Sequence, residues 1–285
     1  MLGLIDHGLA GRHHLTTVYT DSRNLQYKVY FGLGQCLDLI HTPEVFKVSL
    51  AGIRLGHYLM RSLGPSTSNK SFLDIGTGSG VHALLMRRLG SHDITATDIS
   101  GDSVEQAKLH ERINFKHEKI SFSVSDLFDQ IPERKFHTIA FNPPGWRTPS
   151  PSLIQRLNTV ELTEQMPIRA MFYGDDVVAR FLDDLPRYMD PQGRAIVGLN
   201  SLVGINDVLN KYNQKYNNEP PLAYRLVERH TLPLLYYSAH WQRLSKHFKK
   251  EFESWLKQNL AAYSTDQNGE IYWSYEIIEF SHRAD

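Results

Sequence analysis

The chain has 285 residues, 41% hydrophobic and 22% charged, the profile of a soluble globular protein with one sizeable domain and room for a small extension. Its 31 basic and 31 acidic residues cancel, which argues against tight nonspecific binding to long nucleic acid, and its single cysteine, Cys36, excludes an internal disulfide and fits a reducing compartment. No run approaches the ~20 apolar residues of a membrane helix, and Asp6 and His7 interrupt what a signal peptide would need, so the expected location is cytoplasmic with no membrane partner.

In chain order, QYKVYFGLGQCLDLI predicts a hairpin around Gly32 and Gly34. VSLAGIRLGHYLMRSLG predicts a helix with Leu50, Ile53, Leu55, Leu59 and Leu63 on one face and Ser49 as N-cap. Residues 64–69 are a turn-rich linker. From residue 70 strands and helices alternate: SFLDIG, a helix closed by Gly90, DITATDIS, SVEQAKLHERIN, ISFSVSD and FHTIAFN. After an irregular stretch, 145–172, come the helix DDVVARFLDDLPRYMD, the strand RAIVGLN, the helix INDVLNKYNQKY and the strand LAYRLVERHTLP. The long helix SKHFKKEFESWLKQNLAAY and the strand IYWSYEIIEF end the series. Such alternation implies a doubly wound α/β fold, a Rossmann-like, mostly parallel sheet of seven strands. The last strand is the one expected to run antiparallel.

The first crossover carries D-x-G-x-G-x-G as Asp74, Gly76, Gly78 and Gly80, with Thr77 between the glycines. Glycines at the end of a strand let the backbone come close to a ligand, and ligands in such folds sit beyond the carboxyl ends of the strands. A nicotinamide dinucleotide site would read G-x-G-x-x-G/A, and here the register puts the glycines too late. Asp98 ends the second strand, 22 positions after Gly76, where a carboxylate commonly accepts hydrogen bonds from ribose hydroxyls, and Ile99 follows it. Asp126 ends the third strand, followed by Leu127, within reach of an adenine amino group.

Asp74–Gly80, Asp98 and Asp126, in that order on three successive strands, resemble the class I S-adenosylmethionine-dependent methyltransferases. The resemblance implies that Asp74 helps hold the cofactor's amino group while the glycine loop passes the methionine part. It also implies that Asp98 binds the ribose and that Asp126 lies near the adenine. TPEVFKVSLAG resembles the segment that precedes the glycine strand in that family, with Phe46 and Ser49 flanking the methionine end, although a packing aromatic and a helix cap explain them equally well. The domain division that follows is an extension at 1–65 and a methyltransferase domain at 66–285.

Asn142-Pro143-Pro144 after the fourth strand resembles the N-P-P-[Y/F/W] motif of methyltransferases that act on planar nitrogen. These include release-factor glutamine, adenine-N6 and guanine-N2 enzymes. An amide or exocyclic amine is a poor nucleophile because its lone pair is delocalised. The Asn142 side-chain oxygen and the Pro143 carbonyl could both accept from one NH2 group, localise that pair and aim it, while the prolines fix φ and remove competing donors. The chain departs from the motif at Gly145, where the family has an aromatic. Trp146 is one candidate to take over the stacking; the other reading is that Gly145 makes room for a bulkier acceptor. Gly145, Trp146 and Tyr173 are the expected substrate contacts, with Arg147 and Arg156 as further candidates, set against a plain solvated loop.

The function read from the sequence is N-methylation of a small molecule or protein. A nucleic-acid base methyltransferase is an alternative, and so is a non-catalytic module that binds the cofactor or a partner. The 14 histidines show no metal-ligand spacing, so no metal is expected. The basic start of the last helix reads as a solvated face.

Overall fold

The computed structural model describes residues 4–6, 26–32, 34–63, 69–159, 168–236 and 239–283. Residues 64–68 of the expected linker at 64–69, and residues 160–167 of the irregular stretch, lie outside them. The chain divides into two compact units, Met1–Asn142 with Arg187–Val197, and Pro143–Pro186 with Gly198–Asp285.

The first unit holds a parallel sheet. Its strands are β4 (Phe72–Ile75), β5 (Ile94–Asp98), β6 (Ser121–Val124), β7 (Phe136–Phe141) and the opening part of β8 (Met189–Asn200), in the order β8-β7-β4-β5-β6. All four residues of β4 are buried, as are five of the six in β7, because a parallel sheet covered on both faces admits only near-continuous apolar runs. The register pairs Ile75 with both Thr97 and Phe141, and Asp98 with Val124. The carboxyl ends of β7, β4, β5 and β6 therefore share one edge, and the residues following them emerge together.

Ahead of this sheet lie β1 (Leu4–Asp6), β2 (Gln26–Gly32) and β3 (Gln35–Ile40), an antiparallel set whose hairpin turns at Gly32 and Gly34, both at positive φ as the sequence predicts. Helix α1 (Leu50–Ser62) starts where expected, with Ser49 Oγ accepting from the Gly52 N–H at 3.1 Å. Helix α3 (Gly101–Asn114) ties β3 down through three polar residues at four-residue spacing. Gln106 donates to the Ile40 carbonyl at 2.8 Å, His110 Nε2 lies 2.9 Å from the Ile40 N–H, and Asn114 both accepts from and donates to the Asp38 backbone. A strand that would otherwise show an unpaired edge thus has its backbone satisfied by a helix face.

The second unit contains α4 (Pro151–Thr159), α6 (Ile205–Lys215), α7 (Ala239–Lys257) and most of α5 (Gly174–Tyr188). It also contains β9 (Leu222–Pro233), β10 (Tyr263–Thr265) and β11 (Ile271–His282). β9 and β11 pair antiparallel along their whole length, with a bulge between Ile277 and Ile278, and β10 adds to β11 antiparallel. In α7 the ring of Phe248 is buried while Lys246, His247 and Lys250 face solvent, as the charge run predicts.

Two expectations need correction. Eight strands, not seven, fall between residues 72 and 282 among the described residues; the extra one is β10, three residues long and too short for a periodic signal. The irregular stretch contains α4. Its start was legible: Ser150 is an N-cap, with its Oγ 3.3 Å from the Leu153 N–H, and Pro151 sits at the first helical position, where its missing N–H costs nothing.

Candidate active site

The glycine loop at the end of β4 is shaped from within. Asp74 is 1% exposed, and its Oδ2 accepts from Thr77 Oγ1 at 2.6 Å and from the Ala83 N–H at 3.2 Å. The carboxylate therefore folds the loop back and caps the start of α2 (Val81–Arg88). His82 Nδ1 lies 3.8 Å from the other Asp74 oxygen, and its Nε2 bonds the Gly52 carbonyl at 2.8 Å, joining α1 to the loop. Burial pushes the Asp74 carboxyl above its ordinary range, while His82 and the Thr77 hydroxyl pull it back. Gly76, Gly78 and Gly80 all have positive φ. An added Cβ at Gly78 meets nothing within 4 Å, so that backbone faces open space.

Gly80 is the tight point. A Cβ there would lie 2.8 Å from Ala107 Cβ and 3.2 Å from its Cα, at φ +80°. Gly80→Ala is expected to destabilise the fold by roughly 2–4 kcal/mol through strain and overpacking together. Urea unfolding measures this, and a loss below about 1 kcal/mol would contradict the packing described.

His110 reaches the loop from α3. Its Nδ1 lies 2.8 Å from the Ser79 carbonyl, which fixes the proton on Nδ1 and leaves Nε2 to accept from Ile40. Burial lowers its pKa, in keeping with a neutral imidazole that makes one bond of each kind.

At the end of β5, Asp98 accepts from the Gly78 N–H at 2.8 Å, from the Ser100 N–H at 2.9 Å and from the Ser103 hydroxyl. A carboxylate has roughly four lone-pair sites, so these do not exhaust it. Ile99 beside it is 68% exposed. At the end of β6, Leu127 is buried and held at φ +49°, a conformation rare for a branched residue. Ser125 Oγ holds it by donating to the Leu127 carbonyl at 2.9 Å. Strained backbone of this kind gathers at ligand sites. Asn142 follows β7, whose last residue, Phe141, packs on Gly76. Asp74, Gly76, Gly78, Gly80, Asp98, Asp126 and Asn142 thus share the carboxyl edge of the first unit. Phe46 and Ser49 are half-buried in the approach to α1, and Ser49 acts as its cap.

In the second unit the residues after the prolines take roles that the sequence did not reveal. Trp146 is 1% exposed. Its ring packs against Phe172, Trp241, Phe248 and Phe252, with centroids 5.1–5.6 Å away. It has no free face, so the expected stacking of Trp146 on substrate is corrected to a core role. Arg147 is corrected likewise. It is 6% exposed, ion-paired to Asp175 at 3.3 Å and Asp207 at 3.0 Å, and it donates to the Leu260 carbonyl at 2.7 Å. Arg156 is exposed on α4. Tyr173 keeps its expected accessibility, 37% exposed, and its φ of +66° is unusual for a tyrosine. The Trp146 N–H donates to the Met171 carbonyl, and the Gly174 N–H donates to the Trp146 carbonyl, each at 2.8 Å. These bonds hold the chain around Tyr173 against the chain around Gly145. Gly145 has a neighbour the sequence gave no hint of: an added Cβ would lie 2.8 Å from Asn200 Nδ2.

A family model for the methyltransferase small domain matches residues 37–157. By that match and the relatives below, the chain is a methyltransferase. A Methanocaldococcus jannaschii protein with the provisional name protein N5-glutamine methyltransferase is 29% identical over 59% of this chain and 79% of its own. A tRNA1(Val) (adenine(37)-N6)-methyltransferase from Phocaeicola vulgatus is 31% identical over 40% of this chain and 47% of its own. A release factor glutamine methyltransferase from Shewanella oneidensis is 40% identical over 28% of each chain. The match to the last two thus spans less than half of their length. The fold is like that of a T. thermophilus 16S rRNA N2 methyltransferase solved with S-adenosylmethionine and guanosine. That structure has a TM-score of 0.52 and 17% identity, covering 88% of this chain and 48% of that one.

Among its described residues no group of three or more His, Cys, Asp or Glu could hold a metal ion, and no helix is long and apolar enough to cross a membrane. Sequence reading of this methyltransferase missed His82, His110, Gly174 and Asn200. None belongs to a local motif; each acts on a residue far away in the chain.

Proposed function

We propose that this methyltransferase acts on a planar nitrogen of a protein or small molecule, an amide foremost, and the observation that carries this is Asn142-Pro143-Pro144 directly after β7, at the carboxyl edge of the sheet. Bound S-adenosylmethionine would supply an electrophilic methyl on a sulfonium. The chain's part is to hold and polarise. The glycine loop offers backbone at positive φ for close approach. Asp98, with acceptor capacity left over, takes the ribose hydroxyls. Ile99 and the loop at Asp126–Leu127 border the adenine. The Asn142 side-chain oxygen and the Pro143 carbonyl accept from the NH2 to be methylated and turn its lone pair toward the methyl carbon. The new N–C bond forms as the S–C bond breaks, and the proton leaves to water once the nitrogen is cationic.

The protein or small-molecule reading has support from the neutral overall charge. It also has support from the relative matched over 79% of its length, whose name gives a protein glutamine as substrate. The test uses tritium-labelled S-adenosylmethionine and a cell extract split into protein, RNA and small-molecule fractions. Label in the protein or small-molecule fraction is expected. Label in RNA would replace this reading with base methylation, and cofactor binding without label anywhere would replace it with a binding module.

Asp98 also gives a pH dependence. Burial raises its carboxyl pKa against the Ser100 and Gly78 N–H groups and the Ser103 hydroxyl that hold it down. Protonation removes acceptor capacity, so affinity for S-adenosylhomocysteine should weaken as pH falls, starting above the usual carboxylate range. Asp98→Asn should bind about tenfold or more weakly and lose this dependence. Calorimetric titration at several pH values checks it; a variant that binds like wild type would remove Asp98 from the ribose site.

A further inference from the structure

We infer that His110 is a positioning residue of the glycine loop: its Nδ1–H pins the Ser79 carbonyl and so holds the loop in the form that takes the methyl donor, while Nε2 of the same ring anchors that support to β3. This rests on the reading of the glycine loop as the S-adenosylmethionine site and adds to it a residue that belongs to no local motif.

The glycine loop does not hold its own shape. Glycine at 76, 78 and 80, all at positive φ, lets the peptides between them turn at little cost. Within the turn, the Gly80 N–H donates to the Thr77 carbonyl at 2.9 Å. The other backbone groups are fixed from elsewhere. The Thr97 carbonyl accepts from the Thr77 N–H, Asp98 accepts from the Gly78 N–H, and His110 Nδ1 lies against the Ser79 carbonyl, each at 2.8 Å. The peptide between Ser79 and Gly80 is thus held at both ends, its carbonyl by His110 and its N–H by Thr77. Ser79 is 5% exposed and His110 is fully buried, so water does not stand in for that bond when it is lost.

Two stripes of α3 cross at this residue. Ser103, Ala107 and His110 follow helical spacing along the side that meets the loop: the Ser103 hydroxyl bonds Asp98, Ala107 crowds Gly80, and His110 holds Ser79. Gln106, His110 and Asn114 form the side that meets β3. There the Ile40 carbonyl already takes the Gln106 amide at 2.8 Å, and the Ile40 N–H goes to His110 Nε2 at 2.9 Å. Of these residues only His110 belongs to both stripes. A neutral imidazole suits the crossing, because one rigid ring presents a donor in one direction and an acceptor in another. A loop already held in its bound form costs less to order when the ligand arrives. Loss of the Ser79 bond therefore falls on affinity for the methyl donor, beyond its effect on stability.

Two substitutions split the ring. An asparagine amide reaches about as far as Nδ1, and a glutamine amide about as far as Nε2. His110→Asn therefore keeps a donor for Ser79 and gives up Ile40, and His110→Gln does the reverse. The probe is S-adenosylhomocysteine, titrated calorimetrically into the purified protein. Both variants should melt below wild type, since each loses one buried bond. His110→Asn should nevertheless bind within about threefold of wild type, and His110→Gln about tenfold or more weakly. A folded His110→Gln that binds like wild type overturns the inference. So does a tenfold loss in His110→Asn as well, which would assign the effect to the ring's bulk or to β3. A second measurement needs no variant to fold: nitrogen NMR of wild type with isotope-labelled histidine should find the His110 ring proton on Nδ1, and a proton on Nε2 alone overturns the inference. A wild type that does not bind S-adenosylhomocysteine defeats the reading of the loop as the cofactor site, a result distinct from a wild type that binds beside an indifferent variant.

Discussion

Asn142→Ala should bind S-adenosylhomocysteine within about threefold of wild type and turn over roughly 10²- to 10³-fold more slowly. The side-chain oxygen is one of two acceptors for the reacting NH2, and removing one preorganised polarising group typically costs this much in kcat. Asn142→Asp keeps an acceptor oxygen in the same place and should recover part of the rate. Label transfer under saturating cofactor, with calorimetry for binding, separates the two effects. A fully active alanine variant would remove the amine-polarising role and leave the prolines as an ordinary turn. A variant that lost cofactor affinity instead would move Asn142 from the acceptor to the methionine end of the cofactor.

Trp146→Ala should lower stability by roughly 3–5 kcal/mol, because a large buried ring is removed from the midst of Phe172, Trp241, Phe248 and Phe252 and the cavity cannot collapse fully. In a chain of this size that corresponds to a fall in melting temperature of roughly 6–20 °C. Trp146→Phe refills much of the space and should lose markedly less. Rate per folded molecule decides between packing and substrate stacking. Both variants should keep it at a temperature where they are folded. A well-folded alanine variant that had lost its rate would return Trp146 to the substrate.

The parallel elements were legible because their signals are local. β4 and β7 are buried on both faces, so their apolar runs are nearly continuous, and the helices between them carry caps and stripes that the sequence displays. Ser49 was expected as a cap and is one. The glycine loop was legible for the same reason: positive φ at Gly76, Gly78 and Gly80 is a backbone demand that the residue type itself records.

Exposure is different, because it is a sum over residues far apart in the chain. Trp146 and Arg147 follow Asn142-Pro143-Pro144 and, in the sequence, look available to substrate. Trp146 is buried by rings from α7, about a hundred positions later, and Arg147 by Asp175, Asp207 and the Leu260 carbonyl. The narrow space at position 145 is likewise set elsewhere, at Asn200. The sequence by itself determined the crossover order, the glycine loop and the place of Asn142-Pro143-Pro144 directly after β7, since each is set by residues within one turn or one strand. Only the tertiary structure decided which neighbours of Asn142-Pro143-Pro144 are core and which are paired charges, since packing alone brings distant side chains to the same place.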